Sequence, residues 1–338
     1  MRYLILLTCI YLQLSLHPAR AVEWEDQQTF AGTVGTVTLR VISSTDTSVF
    51  APVINRFLST NPRVKIEYQV ASSAVIYREF QQSPDKYDLI ISSAMDLQFK
   101  LVNDGYAKQV PELEHPDWAQ WRQSLFGFTL EPASIVVNKE AFATLPKPES
   151  RQQMIEVLRS NPDTFHGRIG TYDVRESGLG YLFATQDARA SETYWRLMEI
   201  MGSLDTRLYC CSGDMISDLA AGKIVISYNV LGSYARTRKD IADKIQVIVP
   251  NDFPNTMMRT ALISREARQP SVAVQFLRYL TSSQWSEGGA GQVALPPLRL
   301  TTADTPITTI SLEPGLMIFL DRLKRRAFIQ EWENAIIQ

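Results

Sequence analysis

The stretch YDLIISSAMDLQFKLVNDG, residues 87–105, predicts a buried strand that is followed directly by an amphipathic helix. The aliphatic run at 89–91 is typical of a strand that is covered on both faces of its sheet. Apolar residues then recur at helical spacing as far as Gly105, a residue suited to the end of a helix. Ser92 and Ser93 separate the two elements, so two hydroxyl groups mark the end of the strand.

The same order of strand and helix occurs earlier in the chain. Residues 37–42 and 64–70 are predicted as strands, and residues 49–58 between them have the periodicity of a helix. Such alternation is the signature of an α/β protein with a parallel sheet. We therefore expect the N-terminal part of the chain to form an open α/β sheet.

A second set of strands and helices predicts a second α/β unit that interrupts the first. We expect the chain to cross between the two units near 128–138 and near 246–254. The predicted lobes are residues 35–130 together with 254–338, and residues 131–253.

The composition is that of an ordinary globular protein. The chain has 338 residues, a formal net charge of −2 at pH 7, 45% hydrophobic residues and 21% charged residues. This is enough for a sizeable core and two domains. Since there is neither a basic excess nor a charged block, we predict no nucleic-acid partner and no binding to a membrane surface.

The N-terminus has the features of a cleavable signal peptide. Arg2 gives a positive start, a short apolar run follows, and a small-x-small sequence ends at Ala21. A membrane anchor is the alternative, but the apolar run is shorter than the roughly 20 residues that cross a bilayer. We therefore predict that residues 1–21 are a signal peptide cleaved after Ala21, which would make the mature protein a secreted one.

Two adjacent cysteines, Cys210 and Cys211, remain in the predicted mature chain. Neighbouring Cα atoms are about 3.8 Å apart, which is below the roughly 4.4 Å at which ordinary disulfides begin. Two thiols in a turn before a helix are the favoured interpretation, and a vicinal disulfide formed in an oxidising compartment stays open. Neither interpretation predicts a metal site.

Polar loops follow four of the predicted strands, and three of these loops lead directly into helices. The first turn of a helix offers unpaired N–H groups and a partial positive charge, which suit an anion. Open α/β sheets place ligands at the carboxyl ends of their strands. Simple helix capping is the alternative, but several such loops at one end of two facing sheets favour ligand binding. The candidate ligand-binding residues are Ser44, Thr45, Asp46, Ser92, Ser93, Arg175, Ser177, Gly178, Tyr228, Asn229 and Ser233.

Side-chain chemistry suggests separate roles for the charged candidates. Arg175 is the expected cation for a carboxylate or phosphate, with a surface ion pair to Glu176 as the alternative. Arg259 is a weaker cation candidate. Asp46 and Asp96 are expected to cap helices or to accept hydrogen bonds from ligand hydroxyls, because a carboxylate would repel an anion.

Catalytic motifs are missing from the sequence. There is no G-x-S-x-G, no P-loop and no H-E-x-x-H. His115 and His166 lie outside the predicted cleft loops, so no general base is evident. We therefore predict no enzymatic activity, no catalytic residues and no cofactor.

Several segments together resemble the type II periplasmic solute-binding proteins of ABC transporters. They extend from about residue 38 to about residue 285, and the order in which they occur carries the resemblance. The segments are VISSTDTSVFAPVINRFLSTNPRVKIEYQ, YDLIISSAMDLQFKLVNDGYA, PASIVVNKEAF, GDMISDLAAGKIVISYNVLGSYA and TALISREARQPSVAVQFLRYLTSSQ. The sequence looks closest to the branch of ferric-iron and phosphorylated-compound proteins, which includes a component of a phosphoglycerate-responsive regulatory system.

The resemblance implies a Venus-flytrap protein with two lobes, hinge strands and a ligand in the cleft between them. It also implies a partner in the membrane, either an ABC permease or a sensor kinase, and we expect a monomer. Ferric-binding relatives would have adjacent tyrosines at the SYN position, where Tyr228 is followed here by Asn229. The predicted ligand is therefore a small organic anion, phosphorylated or carboxylated, with ferric iron as the alternative.

Overall fold

The computed structural model describes residues 22, 24–282, 284–286, 293–298 and 308–338. The predicted signal peptide, residues 1–21, lies outside the described residues. Within the described ranges, no helix is both long enough and apolar enough to cross a membrane.

The described part of the chain contains fourteen strands. In chain order they are β1 (Asp26–Ala31), β2 (Val37–Ser43), β3 (Val64–Val70), β4 (Leu89–Ser92), β5 (Gln120–Trp121), β6 (Leu125–Gly127), β7 (Glu131–Asn138), β8 (Ile169–Tyr172), β9 (Arg207–Tyr209), β10 (Ile226–Leu231), β11 (Ile245–Ile248), β12 (Asn255–Met257), β13 (Thr260–Ile263) and β14 (Thr308–Thr309).

Eleven α-helices lie in the same described ranges. They are α1 (Thr47–Thr60), α2 (Ser73–Gln82), α3 (Met95–Asn103), α4 (Arg151–Ser160), α5 (Pro162–Phe165), α6 (Gly178–Ala190), α7 (Thr193–Ser203), α8 (Ser212–Ala220), α9 (Gly232–Thr237), α10 (Pro270–Thr281) and α11 (Arg322–Ile336). Short 3₁₀ turns occur at Pro84–Lys86, Asp117–Ala119, Lys239–Ile241, Gln284–Ser286 and Pro314–Leu320.

The first sheet has the strand order β1-β3-β2-β4-β13-β6-β5. β2 runs parallel to both β3 and β4, as the alternation of strands and helices predicts, and β13 joins β4 in the antiparallel direction. Leu89, Ile90 and Ile91 of β4 are completely buried, which confirms the buried strand expected from the aliphatic run. The polar residues that follow β4 therefore lie at the edge of the buried first sheet, which holds them in place.

The second sheet has the strand order β14-β12-β7-β10-β8-β9, and β11 also pairs with β7. β8 runs parallel to β9 and β10, whereas β7 is antiparallel to β10, β11 and β12. The fold is therefore mixed α/β with two sheets, which confirms the predicted fold class. We call each sheet with its helices the first and the second lobe.

The chain crosses between the lobes at two adjacent places. It leaves the first sheet after β6 and enters β7, and it returns from β12 to β13. Met257 pairs with Glu131, and the amide of Phe128 donates to the carbonyl of Arg259 at 2.9 Å. The return lies later than the predicted 246–254, because β12 is still held in the second sheet by its pairing with β7.

The C-terminal helix α11 packs on the second lobe. Phe328 and Trp332 belong to the same buried cluster as Tyr194 of α7. The contact is close, since a Cβ on Gly202 of α7 would lie 2.3 Å from the carbonyl oxygen of Ala335. The sequence placed this helix within residues 254–338 of the first lobe, and the exact lobe boundaries stay a prediction.

A buried charged network holds the second lobe together. The Arg151 guanidinium donates to Asp187 at 2.6 Å, to the Tyr228 hydroxyl at 2.6 Å and to Asp252 at 2.9 Å. Asp187 accepts three further hydrogen bonds, from the side chains of Tyr228, Asn229 and Asn255 at 2.6–2.7 Å. Arg151 and Asp187 are fully buried, so each charge depends on these partners for the stabilisation that water would otherwise give.

Replacing Arg151 should therefore destabilise the protein strongly. Arg151→Met leaves the Asp187 carboxylate buried without its cation, and we expect a loss of about 3–5 kcal/mol in the free energy of unfolding. Arg268→Ala is the matched control, because its ion pair with Asp85 is more than half exposed and should contribute less than about 1 kcal/mol. Urea unfolding of both variants tests this, and equal losses would contradict the role of the network.

Candidate functional site

The cleft between the two lobes is formed where helices begin. α2, α3, α6 and α8 start at Ser73, Met95, Gly178 and Ser212, each directly after a strand end and its short loop. Serine side chains are concentrated at these starts, because small hydroxyl residues accept hydrogen bonds from the free amides of a first turn. The serines that line the cavity of the cleft are Ser44, Ser72, Ser73, Ser93, Ser177 and Ser212.

Four of the predicted residues line this cavity, namely Ser44, Asp46, Ser93 and Ser177. The amide of Ser93 donates to the Ser44 hydroxyl at 3.1 Å, and the two hydroxyl groups are 3.3 Å apart. Ser177 comes from the opposite lobe, where its hydroxyl caps α6 by accepting from the amide of Gly180 at 3.1 Å. The local sequence pattern therefore located Ser44, Ser93 and Ser177 at the cleft.

The lobes are in direct contact across the cleft. The amide of Leu179 in α6 donates to the Ser73 hydroxyl in α2 at 3.1 Å. Gly178 lies so close to the first lobe that a Cβ there would be 2.8 Å from Ser73 Oγ and 2.9 Å from a Leu97 methyl group. The cavity left among the serines measures only about 30 Å³, which is room for one or two water molecules. The arrangement is therefore a closed one.

A buried ion pair lies where the chain crosses between the lobes. Arg259 donates two hydrogen bonds to Glu131, at 3.0 and 3.1 Å, and both side chains are shielded from solvent. Arg259 also donates to the Thr45 hydroxyl of the first lobe, and Ser233 of the second lobe donates to Glu131. This hinge network joins both lobes to the crossing strands.

The carboxylates of Asp46 and Glu25 line the same cavity as the serines. Asp46 accepts a hydrogen bond from the Tyr234 hydroxyl at 3.1 Å across the lobe boundary. Burial raises the pKa of Asp46, and the Tyr234 hydrogen bond and Arg259 oppose that shift. Burial and the neighbouring carboxylates of Asp46 and Asp214 raise the pKa of Glu25 to about 7.

The structure combines two sheets, helix N-termini that face a cleft, and strands that cross between the lobes. This arrangement is that of a solute-binding fold, and a comparison with protein families gives the same result. The family described as bacterial extracellular solute-binding protein matches residues 39–287. The chain belongs to this family. The predicted resemblance to type II periplasmic binding proteins is thereby confirmed, and the family is one of solute-binding rather than enzymatic proteins. Comparison with curated protein sequences finds no match.

Solved structures of similar shape include a substrate-binding protein of an ABC transporter from Agrobacterium tumefaciens. It is 29% identical, with a TM-score of 0.85, and the match covers 92% of this chain and 98% of that one. AfuA from Actinobacillus pleuropneumoniae, with exogenous fructose-6-phosphate bound, is 14% identical, with a TM-score of 0.68 and coverage of 89% and 99%. Iron-bound HitA from Pseudomonas aeruginosa is also 14% identical, with a TM-score of 0.64 and coverage of 88% and 99%. The last two likenesses show the fold alone.

Arg175 is not placed where this solute-binding protein would need a ligand cation. Its guanidinium donates to Asp173 at 2.6 and 2.8 Å and to Glu333 of α11 at 3.3 Å, and its side chain is 37% exposed. The expectation of a cation in the cleft is corrected, and the ion pair expected with Glu176 is made with Asp173. Two residues of separation let the guanidinium fold back onto that carboxylate.

Tyr228 and Asn229 also lie outside the cleft. Both belong to the Arg151 network in the interior of the second lobe, which corrects their assignment as ligand contacts. The cause is an irregularity in β10, whose pairing with β7 shifts between Ser227 and Val230. Asn229 there has a φ of 62°, and its side chain turns to Asp187.

Four further candidates serve the structure around the cleft. The hydroxyls of Thr45 and Ser233 are committed to the hinge network, so they are corrected from ligand contacts to hinge residues. Ser92 is almost fully buried, and its hydroxyl accepts from the amide of Ala94 at 3.1 Å. Gly178 contributes close packing between the lobes rather than a polar group.

Sequence reasoning missed Ser72, Ser73, Ser212 and Glu25 as cleft residues. The serines follow β3 and β9 and carry the same signal as Ser92 and Ser93, namely hydroxyls between a strand and a helix. Glu25 precedes β1 and has no local signal, because only the pairing of β1 with β3 brings it to the cleft.

Asp96 differs from the helix cap that was expected. α3 begins at Met95 with Ala94 as its N-cap residue, and no side chain caps it. One oxygen of the buried Asp96 carboxylate has no hydrogen-bond partner, and the side chain borders a separate cavity of about 260 Å³. Burial raises the pKa of Asp96 to about 7, against smaller opposing effects of backbone amides at the helix start and of Arg325.

The raised pKa of Asp96 predicts a pH-dependent stability. The folded state binds this proton more tightly than the unfolded state, so the stabilisation is complete at low pH and is lost as the pH rises through about 7. Asp96→Asn removes the charge and keeps the shape. We expect its free energy of unfolding, relative to the unsubstituted protein, to increase by about 2 kcal/mol from pH 5 to pH 8.

Denaturant unfolding at the two pH values measures this difference. Asp163→Asn, at an exposed position in the first turn of α5, controls for the loss of a charge at a helix start. The same pH dependence in both variants would contradict the effect of burial.

Proposed function

We propose that the protein binds a small organic anion, phosphorylated or carboxylated, in the cleft between its lobes and presents it to a membrane permease of an ABC transporter. A sensor kinase is the alternative membrane partner. In this proposal the mature protein is periplasmic, begins after Ala21 and acts as a monomer. The observation that carries the proposal is the convergence of four helix N-termini on the serine-lined cavity.

The four helices can supply the donors that an anion requires. α2, α3, α6 and α8 contain between nine and thirteen residues each, so each has an aligned dipole. The first-turn amides of Val75, Leu179 and Gly180 already donate to serine hydroxyls, which orients those hydroxyls at the cavity. Ser44 and Ser93 add hydroxyl donors from the first lobe, and Ser177 and Ser212 add them from the second. A phosphate or carboxylate between them would be held by both lobes at once.

The two carboxylates that border the serine cavity favour a ligand that also carries hydroxyl groups. The carboxylates of Asp46 and Glu25 would repel an anion, but they accept hydrogen bonds from alcohols. A ligand that places an anionic group at the serines and hydroxyl groups at Asp46 would be a phosphorylated or carboxylated polyol. AfuA, which has a similar fold, has a ligand of this kind in its structure.

Ferric iron is the less favoured ligand. Iron(III) prefers anionic oxygen donors, by the general matching of hard metals and hard ligands. Tyr228 is committed to Arg151 and Asp187, and burial raises the pKa of Tyr172 and Tyr234 well above the ordinary value, which opposes phenolate formation at the cleft. The likeness to iron-bound HitA is a likeness of fold.

Binding to the protein freed of co-purified ligand tests the proposal. Calorimetry and thermal shift with fructose-6-phosphate, 3-phosphoglycerate, inorganic phosphate and ferric citrate should give binding by a phosphorylated compound. Ser93→Ala should weaken that binding about tenfold or more, because hydrogen bonds to charged groups contribute about 1.5–3 kcal/mol. Ser203→Ala, at an exposed position in α7, should leave it unchanged.

Ferric ion that binds and colours the protein, with no response to any of the anions, would overturn the proposal in favour of iron. Equal affinity in the Ser93 and Ser203 variants would remove the serine cavity as the site. Unfolding of each free variant separates a loss of binding from a loss of fold.

Closure on the ligand can be tested at Gly178. A valine there would collide with Ser73 and Leu97, so Gly178→Val should hold the lobes apart and lower affinity at least tenfold, because both lobes can no longer contact the ligand together. Gly315→Val is the control, since a Cβ at Gly315 meets only Glu313 at ordinary distances. X-ray scattering should show compaction with ligand in the control but not in Gly178→Val, and the same compaction in both would contradict closure at this contact.

A further inference from the structure

Three metal-ligating side chains lie together at the mouth of the cleft. They take no part in the hydrogen bonds described above for the serines. Cys210 and Cys211 end the loop after β9, and Asp214 lies in the first turn of α8. The two sulfur atoms are 3.0 Å apart, and Asp214 Oδ2 is 3.2 Å from Cys211 Sγ and 3.9 Å from Cys210 Sγ. In the part of the chain that the structure describes, this is the one cluster of three such side chains within ligand distance of one another.

These separations are close to those around a bound zinc ion. With Zn–S bonds of about 2.3 Å and a Zn–O bond of about 2.1 Å, tetrahedral geometry puts two sulfurs about 3.8 Å apart and a sulfur and an oxygen about 3.6 Å apart. The cluster is slightly too tight on two edges, and Cys210 is exposed and can rotate outwards. The backbone positions of Cys211 and Asp214 are set by α8, because Cys211 is its N-cap residue and Asp214 lies in its first turn.

The surroundings of the cluster are acidic. Glu25 and Asp46 border the same pocket, which measures about 430 Å³. Asp46 lies against the start of α8, since a Cβ on Gly213 would be 2.7 Å from Asp46 Oδ2. Arg238 is the one cation among the described residues that line this pocket. Its guanidinium donates two hydrogen bonds to the Asp240 carboxylate, both at 2.8 Å. A divalent cation would relieve this crowding of like charges.

We propose that Cys210, Cys211 and Asp214 bind a thiophilic divalent cation of the Zn²⁺ class at the cleft mouth, with the carboxylates of Glu25 and Asp46 in the same pocket. Binding releases the two thiol protons to solvent, and the two thiolates and the carboxylate donate electron pairs to the metal without any change of oxidation state. Soft sulfur ligands select such ions over Mg²⁺ or Ca²⁺. The argument for the metal does not use the anion site, although both cysteines also line the serine cavity, and it revises the expectation that the cysteine pair has no metal-binding role.

Oxidation would compete with this site. The sulfurs are well beyond the roughly 2.05 Å of a disulfide bond, and both cysteines are free thiols. An oxidant that removes two electrons and two protons would join them in a vicinal disulfide and remove both sulfur ligands. Metal binding is therefore expected only in the reduced protein.

Titration of the reduced, metal-free protein with Zn²⁺ and Cd²⁺ tests the site. We expect one ion per chain by native mass spectrometry, and with Cd²⁺ a thiolate-to-metal charge-transfer absorption that saturates at one equivalent. The double variant Cys210→Ser with Cys211→Ser should lose this absorption and at least 100-fold in affinity. Asp214→Asn should keep the thiols and lose at least tenfold, while Asp218→Asn, later in the same helix, should bind as the unsubstituted protein does.

Four results would overturn the metal site. The first is the absence of the charge-transfer absorption in the reduced protein. The second is Zn²⁺ binding that is unchanged in the double cysteine variant, and the third is equal affinity in the Asp214 and Asp218 variants. Oxidation by diamide should lower the mass by two hydrogens and abolish binding, and undiminished binding by the oxidised protein would equally contradict the role of the thiols.

Discussion

The buried ion pair between Arg259 and Glu131 is the constraint on which the cleft depends. It sits where both crossing segments meet, and removing either partner would leave a charge without water or a counter-ion. Its further hydrogen bonds reach Thr45 in the first lobe and Ser233 in the second. Because Thr45 is next to Ser44 and Ser233 is next to Tyr234, the pair fixes the positions of residues on both walls of the cleft.

Two chemistries then share one cleft. Helix starts with serine hydroxyls occupy one part of it, and they offer donors without carrying a full charge. The carboxylates of Glu25 and Asp46 and the cysteine pair border the same serine-lined cavity and extend into the larger pocket at the mouth. An anionic ligand with hydroxyl groups would place its charged end at the serines and its hydroxyls at the carboxylates. A cation at the mouth would neutralise the acids that face the entering ligand.

The sequence predicted what is decided locally. Strand and helix alternation gave the two α/β units, and hydroxyls between a strand and a helix identified Ser44, Ser93 and Ser177. The prediction of Arg175 as the ligand cation was wrong, because its guanidinium pairs with the carboxylate of Asp173, two residues away. The prediction of Tyr228 and Thr45 as ligand contacts was wrong for a different reason. Their hydrogen-bond partners, Arg151 and Arg259, lie 77 and 214 residues away in the chain. Such pairings follow from the arrangement of the sheets, which periodicity does not specify.

A crystal structure of the protein with a bound phosphorylated compound tests the central claim most directly. The account predicts that the phosphate lies between Ser44 and Ser93 of the first lobe and Ser177 and Ser212 of the second, with Arg259 still bound to Glu131. A ligand whose phosphate is held by Arg175, or a ferric ion held by tyrosines in the cleft, would contradict it.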